Sequence, residues 1–124
     1  MITRDEVDRY LTEVKTAVEK GRYTVSPREK NEILFQQFLF SEDTQKKILL
    51  SLCVEDFSEA VKNDHERFAH ETLYIFGKDV QLLPRYGGDE ITVSLYIKFN
   101  KLENQYCIVV SFHEQERELK YAFK

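Results

Sequence analysis

The chain has 124 residues, 42% of them hydrophobic and 32% charged, which fits one folded domain and lies outside the disordered range. Its formal net charge is −4. Residues 1–72 carry 11 basic and 15 acidic side chains and residues 73–124 carry 7 of each, so the acidity belongs to the first half and the basic bias of nonspecific nucleic-acid binders is missing. The charged opening Met1-Ile2-Thr3-Arg4-Asp5-Glu6 and the lack of any long apolar run speak against a signal peptide or membrane span. Cys53 and Cys107 each sit in an apolar stretch and read as buried thiols, which predicts a reducing, cytoplasmic setting and no metal site.

In chain order, Thr3 and Glu6 form a capping box. Val7, Tyr10, Leu11, Val14, Ala17 and Val18 follow at helical spacing up to a stop at Gly21. Tyr23-Thr24-Val25 is short and β-like. Ser26 as cap and Pro27 at the first helical position predict a second helix to about Phe38, burying Ile33, Leu34 and Phe38. A third helix starts between Ser41 and Thr44 and turns Ile48, Leu49 and Leu52 inward, with Lys46-Lys47 facing water. Val54 to Ala60 has no clear period, and Asn63 to Arg67 reads as a polar loop, His65 and His70 included.

From Leu73 the period shortens to 2. Leu73, Ile75 and Gly77 alternate with Tyr74, Phe76 and Lys78, and Gly87-Gly88 marks a turn. Ile91, Val93, Leu95, Ile97 and Phe99 alternate with Thr92, Ser94, Tyr96 and Lys98, the cleanest half-buried strand of the chain. After a turn over Lys101 to Gln105, Tyr106 to Phe112 is apolar enough for an interior strand, ending at His113. The expected fold is α+β, with N-terminal helices packed on a small C-terminal antiparallel sheet. Glu114, Glu116 and Glu118 read as an exposed tail.

If the last two strands pair as a hairpin, Tyr96, Lys98 and His113 share the face turned away from the apolar set. Histidine titrates near neutrality and serves as base or acid, lysine offers charge to an anionic transition state, and tyrosine donates a hydrogen bond or stacks on a base. Such a set suits metal-free RNA cleavage. Each residue also has a plainer use: His113 as a cap, Lys98 as a solvated strand residue, Tyr96 as ordinary strand composition.

The segments Leu52-Cys53-Val54-Glu55-Asp56-Phe57, Tyr74-Ile75-Phe76-Gly77-Lys78-Asp79-Val80, Leu95-Tyr96-Ile97-Lys98, Ile108-Val109-Val110-Ser111-Phe112-His113 and Leu119-Lys120-Tyr121-Ala122-Phe123-Lys124 resemble, in that order, the MqsR family of bacterial toxins. So does the first helix from Tyr10 to Gly21. The resemblance spans most of residues 1–124. It implies one toxin domain of RelE-like fold that cleaves messenger RNA without metal or cofactor, is silenced by a cognate antitoxin, and binds no DNA by itself. Tyr96 matches the family's active-site tyrosine, and His113 stands where a basic residue follows the Ser-Phe pair. Lys78 falls on a glutamine position, and Glu59 reverses the charge of an expected lysine, which leaves open a carboxylate base or a weakened site. Tyr96, His113, Lys98 and Lys78 are therefore the expected catalytic set, with Arg85 and Glu59 as substrate contacts. The rival expectation is a non-catalytic protein-binding module from a phage or mobile element, which the acidic balance and Glu59 favour.

Overall fold

The computed structural model describes residues 1–124. It is an α+β fold of three helices, α1 (Arg4–Glu19), α2 (Glu29–Gln37) and α3 (Glu42–Ser51), and five strands, β1 (Tyr23–Val25), β2 (Phe57–Lys62), β3 (Thr72–Leu82), β4 (Ile91–Lys101) and β5 (Cys107–Glu114). The strands form one sheet in the order β1-β5-β4-β3-β2. All neighbours are antiparallel except β1, which runs parallel to β5 along the edge. No helix is long and apolar enough to cross a membrane.

The helix starts follow local chemistry where that chemistry is free to act. The α1 capping box is present, with the Glu6 N–H donating to the Thr3 hydroxyl at 3.2 Å, and Ser41 caps α3 by accepting from the Thr44 N–H at 3.0 Å. At α2 the expected Ser26 cap does not form. The Ser26 N–H continues the β1 ladder to the Val109 carbonyl at 2.9 Å, so the helix starts two residues later behind Arg28, which caps nothing with its side chain. Asn31 and Leu34 of α2 and Phe38 at its C-cap point inward, and Ile33, expected in the core, sits about 100° round the helix from Leu34 and is 43% exposed.

The three helices cover one face of the sheet. Val7, Leu11, Val14 and Val18 of α1 and Leu34 and Leu49 of α2 and α3 pack against Phe76, Val93, Leu95, Ile97, Phe99, Val109 and Phe112. Burying each such side chain fully contributes about 1.5–3 kcal/mol, so this face holds most of the hydrophobic stabilisation. Val93, Leu95 and Ile97 pack as the alternation predicts; Ile91, at the strand start, stays 47% exposed because β3 ends opposite it. Val54 to Ala60, without a clear period, becomes a 3-10 turn and most of the edge strand β2. Cys107 is buried, but Cys53 is exposed beside that turn, contrary to the buried-thiol expectation, because its apolar neighbours Leu52 and Val54 take the inward positions.

Candidate functional site

The second face of the sheet is lined by a different population. Tyr96 of β4 pairs with Gly77 of β3 on one side and with His113 of β5 on the other, and Lys98 pairs with Ile75 and Ser111. Directly paired residues share a face, so Tyr96, His113, Lys98 and Ser111 stand together away from the helices. Glu59 of β2 pairs with Ile75 and faces the same way.

This arrangement depends on a bulge. Cys107 and Val109 of β5 are in the core, and strict alternation would send Ser111 and His113 there too. Instead the register shifts, with Lys98 opposite Ser111 but Phe99 opposite Val109, so Val110 is the extra residue and the phase of β5 flips after it. The backbone groups around the bulge are met by Asn31 of α2, a fully buried side chain. Its amide donates to the Val110 carbonyl at 3.2 Å and to Ser26 at 2.9 Å, and its oxygen accepts from the Phe112 N–H at 2.8 Å. Asn31 therefore holds the strand in the phase that presents His113.

The Tyr96 and His113 rings lie stacked, 5.1 Å between centroids and 12° from parallel. His113 Nδ1 is 2.8 Å from the Glu114 carbonyl oxygen. A carbonyl only accepts, so Nδ1 is the donor in this contact, and Nε2 has no hydrogen-bond partner within the chain. Burial, then the charges of Glu59 and Glu116, push the Tyr96 phenol up from its usual range, with Arg28 opposing. Burial and the neighbouring Arg28, with Lys30 adding a little, pull the Lys98 ammonium down, and Asp64 opposes them. Each effect favours a neutral Tyr96, able to donate, and a Lys98 that gives up a proton more readily.

Residues 115–124 fold back over part of this face, while Glu114, Glu116 and Glu118 stay exposed as expected. Gln115 donates from its side chain to the Leu95 carbonyl at 2.9 Å, Ser58 to the Lys120 carbonyl at 2.6 Å, and Ala122 from its backbone to Phe57 at 3.1 Å. The strap's side-chain ends come close at Gly77. A Cβ there would sit 2.7 Å from Leu119 Cδ1 and 2.9 Å from Gln115 Nε2, and it would strike the Tyr121 hydroxyl. Between this strap and the strands lies a groove of about 780 Å³, lined by Tyr96, His113, Glu59, Lys30, Arg117 and Lys120 among others.

Two expected site residues lie elsewhere. Lys78 pairs with the buried Leu95 and so points to the helix side, where it donates to Asp56 at 3.2 Å and to the Ser51 carbonyl at 3.3 Å. It ties α3 and the 3-10 turn to β3 and takes no part in the Tyr96–His113 group. Arg85, expected as a substrate contact, instead donates to the carbonyls of Gln36 at 2.9 Å and Phe35 at 2.5 Å, closing the end of α2. His65 and His70 are exposed in the loop as expected, His65 capping a turn by accepting from the Arg67 N–H at 3.2 Å.

The structure adds residues that sequence reading passed over. Arg28, just ahead of α2, donates to the Ser111 hydroxyl at 3.3 Å, and Lys30 pairs with Glu116 at 2.5 Å. No local pattern marks them, since their position depends on β1 lying beside β5. Comparison with known protein families, curated proteins and solved structures finds no match to this chain.

Proposed function

We propose that the chain is a metal-free endoribonuclease of RelE-like fold, the toxin of an MqsR-like toxin–antitoxin pair, acting in the cytoplasm and silenced by a cognate antitoxin. The observation that supports this best is the Tyr96–His113 stack with Nε2 of His113 free, beside Lys98 on the same strand face. In this reading His113 Nε2 takes the proton of a ribose 2′-hydroxyl, and the 2′-oxygen attacks the adjacent phosphorus. The bond from phosphorus to the 5′-oxygen breaks, leaving a 2′,3′-cyclic phosphate. Lys98 offsets the charge gathered on the phosphoryl oxygens and returns a proton to the leaving 5′-oxygen, and Tyr96 stacks on or donates to the substrate. Lys78 is left out of this chemistry by its position.

Induced expression in a bacterial host, followed by mapping of RNA ends, tests the reading. New 5′-hydroxyl ends and growth arrest are expected, and both are absent if the reading is wrong. A neighbouring gene product that co-purifies with the chain supports the antitoxin part. The rival, a non-catalytic protein-binding module, draws on the acidic first half and on Glu59, and it predicts a bound protein without new RNA ends.

A further inference from the structure

Arg28 and Lys98 at the second face, like Arg117 and Lys120 of the strap, join no salt bridge. The chain's salt bridges join Arg4 to Glu55, Lys30 to Glu116, Lys47 to Asp43, Lys78 to Asp56 and Lys101 to Glu13, and leave out Arg28 and Lys98. Both nonetheless converge on Ser111. Lys98 is its cross-strand partner, and the Arg28 guanidinium donates to its hydroxyl at 3.3 Å. Ser111 is only 2% exposed, so the hydroxyl that orients Arg28 is itself fixed by the sheet. Arg28 arrives from another element, the junction of β1 and α2, and its side chain does no capping there. Two like charges brought together with neither in a salt bridge repel, and a ligand anion removes that cost. Asp64 is the one carboxylate whose charge acts on Lys98, while Glu59 and Glu116 act on Tyr96 and Glu116 is already paired with Lys30.

We propose that Arg28, Lys98 and Ser111 form a phosphate subsite for a single RNA strand, next to the Tyr96–His113 stack. Arg28 grips a phosphodiester with its planar fork, Ser111 orients that fork, and Lys98 supplies the second charge. The stacked rings one register step away accept an unpaired base. The neighbourhood of phosphate grip and aromatic platform favours a nucleic-acid strand over an acidic protein. The subsite deepens the endoribonuclease reading and rests on it for the identity of the ligand as RNA, while binding through Arg28 is separable from cutting.

The test uses the full-length chain and a random-sequence 2′-O-methyl RNA 12-mer, which binds but lacks the attacking hydroxyl. Affinity is measured by fluorescence anisotropy across a salt series, with cleavage of unmodified RNA followed in parallel. Arg28→Ala is expected to weaken binding about tenfold and to lower the salt slope by about 0.7, the loss of one phosphate contact on a single strand. Arg28→Lys keeps the charge without the fork and is expected to fall between. Ser111→Ala is expected to shift Arg28→Lys little and the wild type more, since it acts only by orienting the guanidinium. Arg9→Ala removes an equal charge from an exposed position on α1 and is expected to leave binding unchanged. Arg28→Ala and Lys98→Ala behaving like Arg9→Ala, or a wild type that does not bind the 12-mer, overturns the subsite. A wild type that binds through Arg28 but never cuts supports the subsite and removes the catalytic reading; one that cuts while Arg28→Ala cuts and binds equally well does the reverse.

Discussion

The two faces of the sheet are built from alternate residues of the same strands, yet they solve different problems. On the helix side, Phe76, Leu95, Ile97, Phe99 and Phe112 are fully buried and make contacts that are apolar and interchangeable in kind. On the other side, Tyr96, Lys98, His113 and Glu59 are polar or charged, partly exposed, and set by register, a bulge and a strap. The first face holds the main apolar cluster; the second buries Leu73 and Ile75 at one end and otherwise arranges polar groups. The chain thus separates stability from presentation by the period of a strand, and substitutions on the two faces should have opposite signatures.

The largest effect on stability belongs to the helix side. Phe76 touches the rings of Phe57 and Phe99, so Phe76→Ala should cost about 3–5 kcal/mol in urea unfolding. Asn31 comes next, because its removal strands buried backbone groups at the bulge. Asn31→Ala should cost about 2–3 kcal/mol and, unlike Phe76→Ala, should shift the backbone amide resonances of Ser111 and His113 in the protein that remains folded. If those resonances stay put, the bulge does not depend on α2. Gly77→Ala should cost about 1–3 kcal/mol by driving a methyl group into the strap, with faster hydrogen exchange in residues 115–122 as the local readout. Lys98→Met should go the other way, raising the urea midpoint slightly at neutral pH. The fold lowers the Lys98 pKa, so it disfavours the ammonium relative to the unfolded chain. That penalty is fully present below the lowered value and disappears as pH rises through it toward the ordinary lysine value. The wild type and Lys98→Met should therefore converge in alkali. The smallest effect on the fold is chemical labelling. Native protein should take up thiol reagent at Cys53 only, and both thiols should react in urea, since Cys107 is buried and pushed up to about 12.

The same contrast explains what the sequence discloses. Helix-side residues follow periods of 3.6 and 2, so α1, β3, β4 and the inward set Val93, Leu95 and Ile97 can be read directly. Where the reading fails, a distant partner has overridden a local signal. Ser26 is a good cap by type, but β5 claims its backbone. Ile33 looks apolar enough for the core, but the inward stripe of α2 runs through Asn31, which bonds to β5, and Leu34, and leaves Ile33 outside. Tyr96, Lys98 and His113 share a face as expected, but only because Asn31, about 80 residues earlier in the chain, stabilises an irregularity no alternation can announce. Lys78 and Arg85 lie away from the Tyr96–His113 pair: one faces α3, the other closes α2. Arg28 has no motif at all and is found only once β1 lies beside β5.

The central claim is that the second face performs chemistry without carrying the fold. The direct measurement is cleavage of RNA by purified wild type and His113→Ala, paired with urea unfolding of both. The account predicts a loss of about 10²–10⁴-fold in cleavage rate, the usual worth of a general acid or base, with unfolding midpoints that coincide. Equal cleavage by two equally stable proteins would contradict it and move the chemistry away from His113.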